Sequence, residues 1–286
     1  MLVARRASWV RLGLNHIDAW VVTFMLGAVA LWAHAVVSWR SLYLIAALSV
    51  AYWMAFVFND YCDAPYDALD PEKAQGNYFV GRNLSRATLW GGAAVIGGLV
   101  LPAFGQFGAA GLAAAALGLL VMWAYSAPPL RLKRRPLLDV AVHGLFVETF
   151  PYLVCLWLLD VTWLPLDGVV LACALLGSVT AQLEQQVRDF PLDVQVESNF
   201  TIRFGRNTSA FLLKVATALL ILLALAAALP RVAPPILWPV GLLPLPALLH
   251  RVIRRPDQPR SQWLVYVLAV IGVLYAGFML AAAVRA

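Results

Sequence analysis

The sequence predicts an all-α, polytopic membrane protein: nine transmembrane helices around a central cavity, with the N-terminus in the cytoplasm. Three observations carry that prediction. Of the 286 residues, 62% are hydrophobic and only 13% are charged, about half the charge of an average soluble domain. The apolar residues fall in runs close to the roughly 20 needed to cross a hydrocarbon core of about 30 Å. The basic residues gather between alternate runs.

The first run, 16–36, follows Arg5, Arg6 and Arg11; it is long enough to span, and no small-residue cleavage site marks it as a removable signal. The second, 41–59, runs out into acid. Runs 86–104 and 106–126 meet at Gly105, which predicts a tight hairpin. Run 137–159 carries Glu148 near its middle, and 166–187 ends in a second acidic stretch. Run 208–229, which holds Lys214, and run 263–283 are the seventh and ninth. Run 232–249 is short and holds Pro234, Pro235, Pro239, Pro244 and Pro246, which membrane helices tolerate when neighbours satisfy the freed carbonyls. The long loops, about 60–85 and 188–207, lie on one side, and the chain reads as one membrane domain over 1–286.

Charge sets the expected orientation. With nine spans and the N-terminus inside, 17 of the 21 basic residues are cytoplasmic, against Arg40, Arg231 and Arg285 outside and Lys214 within a span; this follows the positive-inside rule. The reading is of a multi-pass protein of a prokaryotic cytoplasmic membrane, its working face toward the cytoplasm. The net charge of +6 is divided among membrane loops, which points to topology and anion binding and away from nucleic acid. Cys62, Cys155 and Cys173 lie in or beside spans and form no disulfide framework.

Chemistry concentrates at the ends of two spans. Five of the fifteen acidic residues fall between Asp60 and Glu72. Asn59, Asp63 and Asp67 recur every four residues and share a helix face, with Asp60 one step round. Carboxylates there repel one another and oppose the helix dipole, so the pattern calls for a cation. Mg²⁺ fits, because it takes a few carboxylates together with waters and phosphate oxygens. Asp189 and Asp193 repeat the spacing after the sixth run, with Glu184 before them and Glu197 beyond; Pro191 is expected to end or kink that helix. Between runs four and five stands Tyr125-Ser126-Ala127-Pro128-Pro129-Leu130-Arg131-Leu132-Lys133-Arg134-Arg135. Its arginines suit bidentate diphosphate binding and its lysine a point contact; Arg82 and Arg188 are further candidates.

Divalent metal, basic side chains and an apolar interior together suit a prenyl diphosphate with its tail in the bilayer and its head at the interface. An allylic cation left by the departing diphosphate could be stabilised by Trp53, Tyr61, Tyr125, Phe146 or Tyr152. Within the spans, Glu148 is the ionisable candidate for chemistry, with His143 and Tyr152 near it in helical spacing; Asp18 and His16 are weaker ones.

These residues resemble the UbiA superfamily of intramembrane prenyltransferases. The family's Asn-Asp-x-x-Asp-x-x-x-Asp motif is matched by Asn59, Asp60, Asp63 and Asp67. Its second Asp-x-x-x-Asp is matched by Asp189 and Asp193, followed by Thr201 and Gly205. Its Tyr-Ser-x-Pro-Pro-x-Arg-x-Lys-Arg segment is matched from Tyr125 to Arg134. The resemblance implies Mg²⁺, as two ions, held by Asn59, Asp60, Asp63, Asp67, Asp189 and Asp193. It implies diphosphate binding by Asn59, Arg82, Tyr125, Arg131, Lys133 and Arg188, and catalysis by Asp60, Asp63 and Lys133, with Glu148 added from its place in the span. The partners implied are a prenyl diphosphate, a lipophilic acceptor and membrane lipid. Gln185 and Gln186 replace a further acid that many members carry. Gly76-Asn77-Tyr78-Phe79-Val80-Gly81 replaces the Arg-Pro-x-Pro-Ser-Gly-like segment of quinone-pathway members. Asp70-Pro71-Glu72-Lys73 is similar to the Asn-Pro-x-Lys of lycopene elongases, which points to a carotenoid acceptor. Two other readings stay open: a cyclase acting on the prenyl diphosphate alone, and a transporter or ion-binding membrane protein.

Overall fold

A computed structural model describes residues 12, 14–82, 85–196, 198–255, 258 and 260–285; Glu197 lies outside them. Among the described residues there are helices and no strands. Nine apolar helices follow in order: α1 Ile17–Ala33, α2 Trp39–Asp67, α3 Arg86–Gly105, α4 Gly108–Ser126, α5 Leu138–Leu158, α6 Pro165–Val196, α7 Arg206–Ala227, α8 Pro235–Ile253 and α9 Gln262–Arg285. Eight are long and apolar enough to cross a membrane, and α1 is an apolar helix of 17 residues. This is a polytopic membrane architecture.

α1 is the central strut, packing on α2, α5 and α9, while α6 packs between α5 and α7 and α7 meets α8. Small residues allow the close approaches that membrane helices rely on. A Cβ at Gly27 would lie 2.5 Å from Cγ2 of Ile45, so only glycine lets α1 and α2 come so near. The shared core includes Leu31, Leu44, Leu48, Tyr152, Cys155 and Met279. At one end of the bundle the buried Asp167 accepts from Tyr152 Oη at 2.7 Å and from the Leu164 amide at 2.6 Å, and bonds His34 at 3.1 Å. Those bonds tie α1, α5 and α6 together and engage Tyr152 there, away from any cation.

The helices depart from the sequence reading at their ends. α2 and α6 continue about eight or nine residues past the expected 59 and 187, so both acidic groups are helical. Proline was expected to end or kink α6 at Pro191, yet the helix runs on to Val196. Pro191 strips the Val187 carbonyl of its helical donor, and Arg206 Nε, from the start of α7, donates to that same oxygen at 3.2 Å. Elsewhere a π turn precedes the proline: Ile96–Val100 before Pro102 in α3, and Leu145–Thr149 before Pro151 in α5. Such a turn absorbs a backbone irregularity without ending the helix.

Candidate functional site

At the other end of the bundle, the C-terminal turns of α2, α4 and α6 and the start of α5 surround a cavity of about 850 Å³, near the upper end for ligand sites. Its mouth is charged: Asp60, Asp63, Asp67, Asp70, Asp189 and Asp193 line it, with Lys73, Lys133 and Arg188. Its depth is apolar, reaching Val100, Phe104, Ala114 and Phe150. Twelve residues of α4 separate Ser126 at the mouth from Ala114, a depth of about 18 Å at 1.5 Å per residue.

Because α2 stays helical, Asn59, Asp63 and Asp67 share the face toward the cavity. Asn59 Nδ2 donates to Asp63 Oδ2 at 3.0 Å, while Asn59 Oδ1 accepts from Ser126 Oγ at 2.9 Å and Lys133 Nζ at 2.8 Å. Asp63 is heavily engaged. It accepts from Arg131 Nη2 at 2.9 Å and from Lys133 Nζ. Arg131 is aimed by a left-handed backbone turn, φ 41°, and by stacking over the Tyr66 ring at 3.9 Å. Asp60 pairs with His16 Nε2 at 2.8 Å.

The second carboxylate pair is held from across the mouth. A short helix, Pro71–Gly76, carries Lys73, whose ammonium lies 3.1 Å from Asp189 and 3.8 Å from Asp193. Burial alone would lower the Lys73 pKa, but the two aspartates outweigh it and hold the group above its ordinary value. Arg188 Nε donates to Asp189 at 2.9 Å, and Asn199 Nδ2 to Asp193 at 3.1 Å. Gln186 bridges inward. It donates to Asp139 at 2.7 Å and accepts from both the amide and hydroxyl of Thr201. That network pins the 198–201 turn beneath α6.

The expected site residues are thus largely brought together, with clear exceptions. Glu148 is not among the cavity-lining residues; it faces Gly177 of α6, where an added Cβ would lie 2.5 Å from its Oε2. Arg82 and Arg131 also lie outside the lining: Arg82 stacks on the Tyr78 ring at 3.9 Å, whereas Arg131 reaches the mouth through Asp63 at 2.9 Å. Glu184 turns away to α8, pairing with Arg251 at 2.7 Å and with Arg254. Of the aromatic candidates, Tyr125 and Phe146 line the cavity together with Tyr52, Phe56, Phe104 and Phe150. Tyr61 is exposed instead, and Trp53 donates to the Leu12 carbonyl.

One residue that the sequence reading noted only as a family departure proves central. Asn77, 7% exposed, donates to Asp67 Oδ2 and to the Asp60 carbonyl, both at 2.7 Å, and accepts from the Phe79 amide at 2.8 Å. Nothing in its spacing pointed there, because the contact depends on the loop after α2 folding back.

Among the described residues, no three carboxylate, imidazole or thiol groups form a ready-made metal cage. Mg²⁺ does not require one, since one or two carboxylates, waters and substrate phosphates complete its shell. The all-oxygen donor set at the mouth fits such an ion.

Fold and site together define a helical membrane protein whose charged mouth opens into an apolar chamber. The chain belongs to the UbiA prenyltransferase family, whose model matches residues 20–271. Among solved structures, a UbiA homologue from Archaeoglobus fulgidus bound to GPP and Mg²⁺ is similar with a TM-score of 0.71 at 16% identity, covering 98% of this chain and all of that one. The same homologue bound to DMAPP and Mg²⁺ gives 0.70 at 16% identity, covering 96% and 98%. A digeranylgeranylglyceryl phosphate synthase structure gives 0.56 at 12% identity, covering 96% and 97%. At these identities the likeness concerns the fold. No curated protein sequence matches the chain.

Proposed function

We propose that this protein transfers a prenyl group from a prenyl diphosphate to a lipophilic acceptor of the carotenoid class, with Mg²⁺ as the cofactor. The observation that carries the proposal is the charge of the mouth: six aspartates line it against two lysines and one arginine. A diphosphate would be repelled from such a mouth unless divalent cations came with it. The Archaeoglobus homologue is bound to Mg²⁺ together with GPP or DMAPP, which supports the same pairing here.

In this reading Asn59, Asp60, Asp63 and Asp67 hold one Mg²⁺, and Asp189 and Asp193 hold a second. When bound, the ions neutralise charge building on the departing diphosphate. Lys133 and Arg131, now engaged with Asp63, turn to the diphosphate oxygens, and Arg188 approaches from α6. Tyr125 and Ser126 close the wall behind the head group. The apolar depth takes the hydrocarbon tail and excludes water, and Phe146 and Tyr125, which line it, supply aromatic rings that stabilise an allylic cation in this reading. Neither Glu148 nor Arg82 has a part in this arrangement.

The carotenoid acceptor is supported by the likeness of Asp70-Pro71-Glu72-Lys73 to the Asn-Pro-x-Lys of lycopene elongases. Mass spectrometry of lipids from cells producing the protein, beside cells producing Asp63→Ala, tests the acceptor. A carotenoid enlarged by a prenyl unit only in the former is expected. A cyclic product from prenyl diphosphate alone would replace transfer with cyclisation.

A further inference from the structure

Prenyl transfer to a carbon–carbon double bond ends with a proton to remove. The acceptor's π electrons form the new bond to C1 of the donor as the C1–O bond breaks and its electron pair leaves with the diphosphate. The acceptor is left with an electron-deficient carbon. It becomes an alkene when a neighbouring C–H gives its electron pair to the new double bond and its proton to a base.

The lining residues able to take that proton are the six aspartates at the mouth and two histidines, His16 and His143. The aspartates belong with the head group; Asp60 is bonded to His16, Asp63 to Arg131 and Lys133, Asp67 to Asn77, and Asp189 and Asp193 to Lys73. His16 is committed to Asp60. His143 stands elsewhere on the wall. On α5 it lies one turn inside Asp139, which joins the network under the mouth, and one turn short of Phe146 and Val147, which line the apolar chamber. That is the boundary where the reacting carbons lie when the diphosphate sits on the carboxylates. The Tyr125 ring stands 6.3 Å from the imidazole, which hydrogen-bonds the Ser178 backbone of α6, and Nδ1 is buried. Glu148, one turn further along α5, points into the α6 interface and not into the chamber.

We infer that His143 is the base that takes the proton from the prenylated acceptor. The inference rests on the proposed transfer. Its test uses purified full-length protein with Mg²⁺, dimethylallyl diphosphate and lycopene, measuring released diphosphate and prenylated alkene together. His143→Gln keeps a polar side chain of similar size that cannot take the proton. It is expected to lower alkene formed per diphosphate released by roughly 100-fold, the low end of what a positioned base contributes, with water-captured alcohol in its place. Imidazole added to His143→Ala should restore the alkene, which a merely structural role would not allow. A wild-type ratio of alkene to diphosphate in both variants would overturn the inference, as would loss of diphosphate release in step with alkene and without imidazole rescue. A wild type that releases no diphosphate would overturn the proposed function and this inference with it.

Discussion

Replacing Asn77 by alanine tests whether the loop after α2 holds the first carboxylate motif in place. Asn77→Ala removes one hydrogen bond to the Asp67 carboxylate and two to backbone groups, all between 2.7 and 2.8 Å and nearly out of contact with solvent. A bond to a charged group contributes about 1.5–3 kcal/mol and a neutral one about 0.5–1.5 kcal/mol. The loss therefore comes to about 2.5–6 kcal/mol. It falls on a single segment, so it acts on local order around Asp67 and Asp60 and not on the whole bundle. At 1.4 kcal/mol per tenfold, misplaced arrangements become roughly 60- to 20,000-fold more populated. Mg²⁺ titration of diphosphate release by the purified protein reads this out, with half-saturation moving up by about tenfold or more. Asn77→Asp should do worse, because it sets a carboxylate against Asp67 while keeping the acceptor for the Phe79 amide. Half-saturation and rate within about twofold of wild type in Asn77→Ala would refute the reasoning.

Three further outcomes follow from the packing around the site. Glu148→Gln should leave turnover within a few-fold of wild type; a loss on the scale of a missing acid–base group, about 100-fold or more, would return Glu148 to the chemistry. Gly177→Ala should cost about 1–3 kcal/mol by driving a methyl into the Glu148 carboxylate. Detergent thermal unfolding should show that cost relieved in the double variant with Glu148→Ala, and full stability of Gly177→Ala alone would contradict it. Glu184→Gln strips the buried Arg254 of its counter-charge and removes one of the carboxylates facing Arg251, a cost of about 3–5 kcal/mol. It should lower the unfolding temperature while leaving Mg²⁺ half-saturation unchanged; the reverse pattern would place Glu184 in the metal site.

Much of the architecture was legible because membrane crossing forces long apolar runs, and the nine apolar helices among the described residues fall on expected ones. The ends were harder. Polar residues at 60–67 and 188–196 read as loop by hydropathy, yet they remain helical because neighbouring side chains receive their charges and Arg206 takes the carbonyl that Pro191 frees. The four-residue spacing of Asn59, Asp63 and Asp67 carried over directly to one helix face. Glu184 shows the limit of grouping by proximity. Five residues before Asp189, it stands about 140° round the helix and meets α8 instead of the cavity. Asn77 and Lys73 were illegible as site residues because their reach depends on how a loop crosses the mouth. The interior position of Glu148 was visible; which neighbour it faces was not, since that depends on the rotation of α5 against α6.

The central claim is that two carboxylate groups on α2 and α6 act together, through divalent metal, on a prenyl diphosphate. Diphosphate release from dimethylallyl or geranyl diphosphate by purified protein, measured with Mg²⁺, with excess chelator, and in Asp63→Ala and Asp189→Ala, tests it most directly. Release that needs Mg²⁺ and is lost in both variants is the predicted result. Release that survives chelation, or that persists undiminished in both variants, would contradict it.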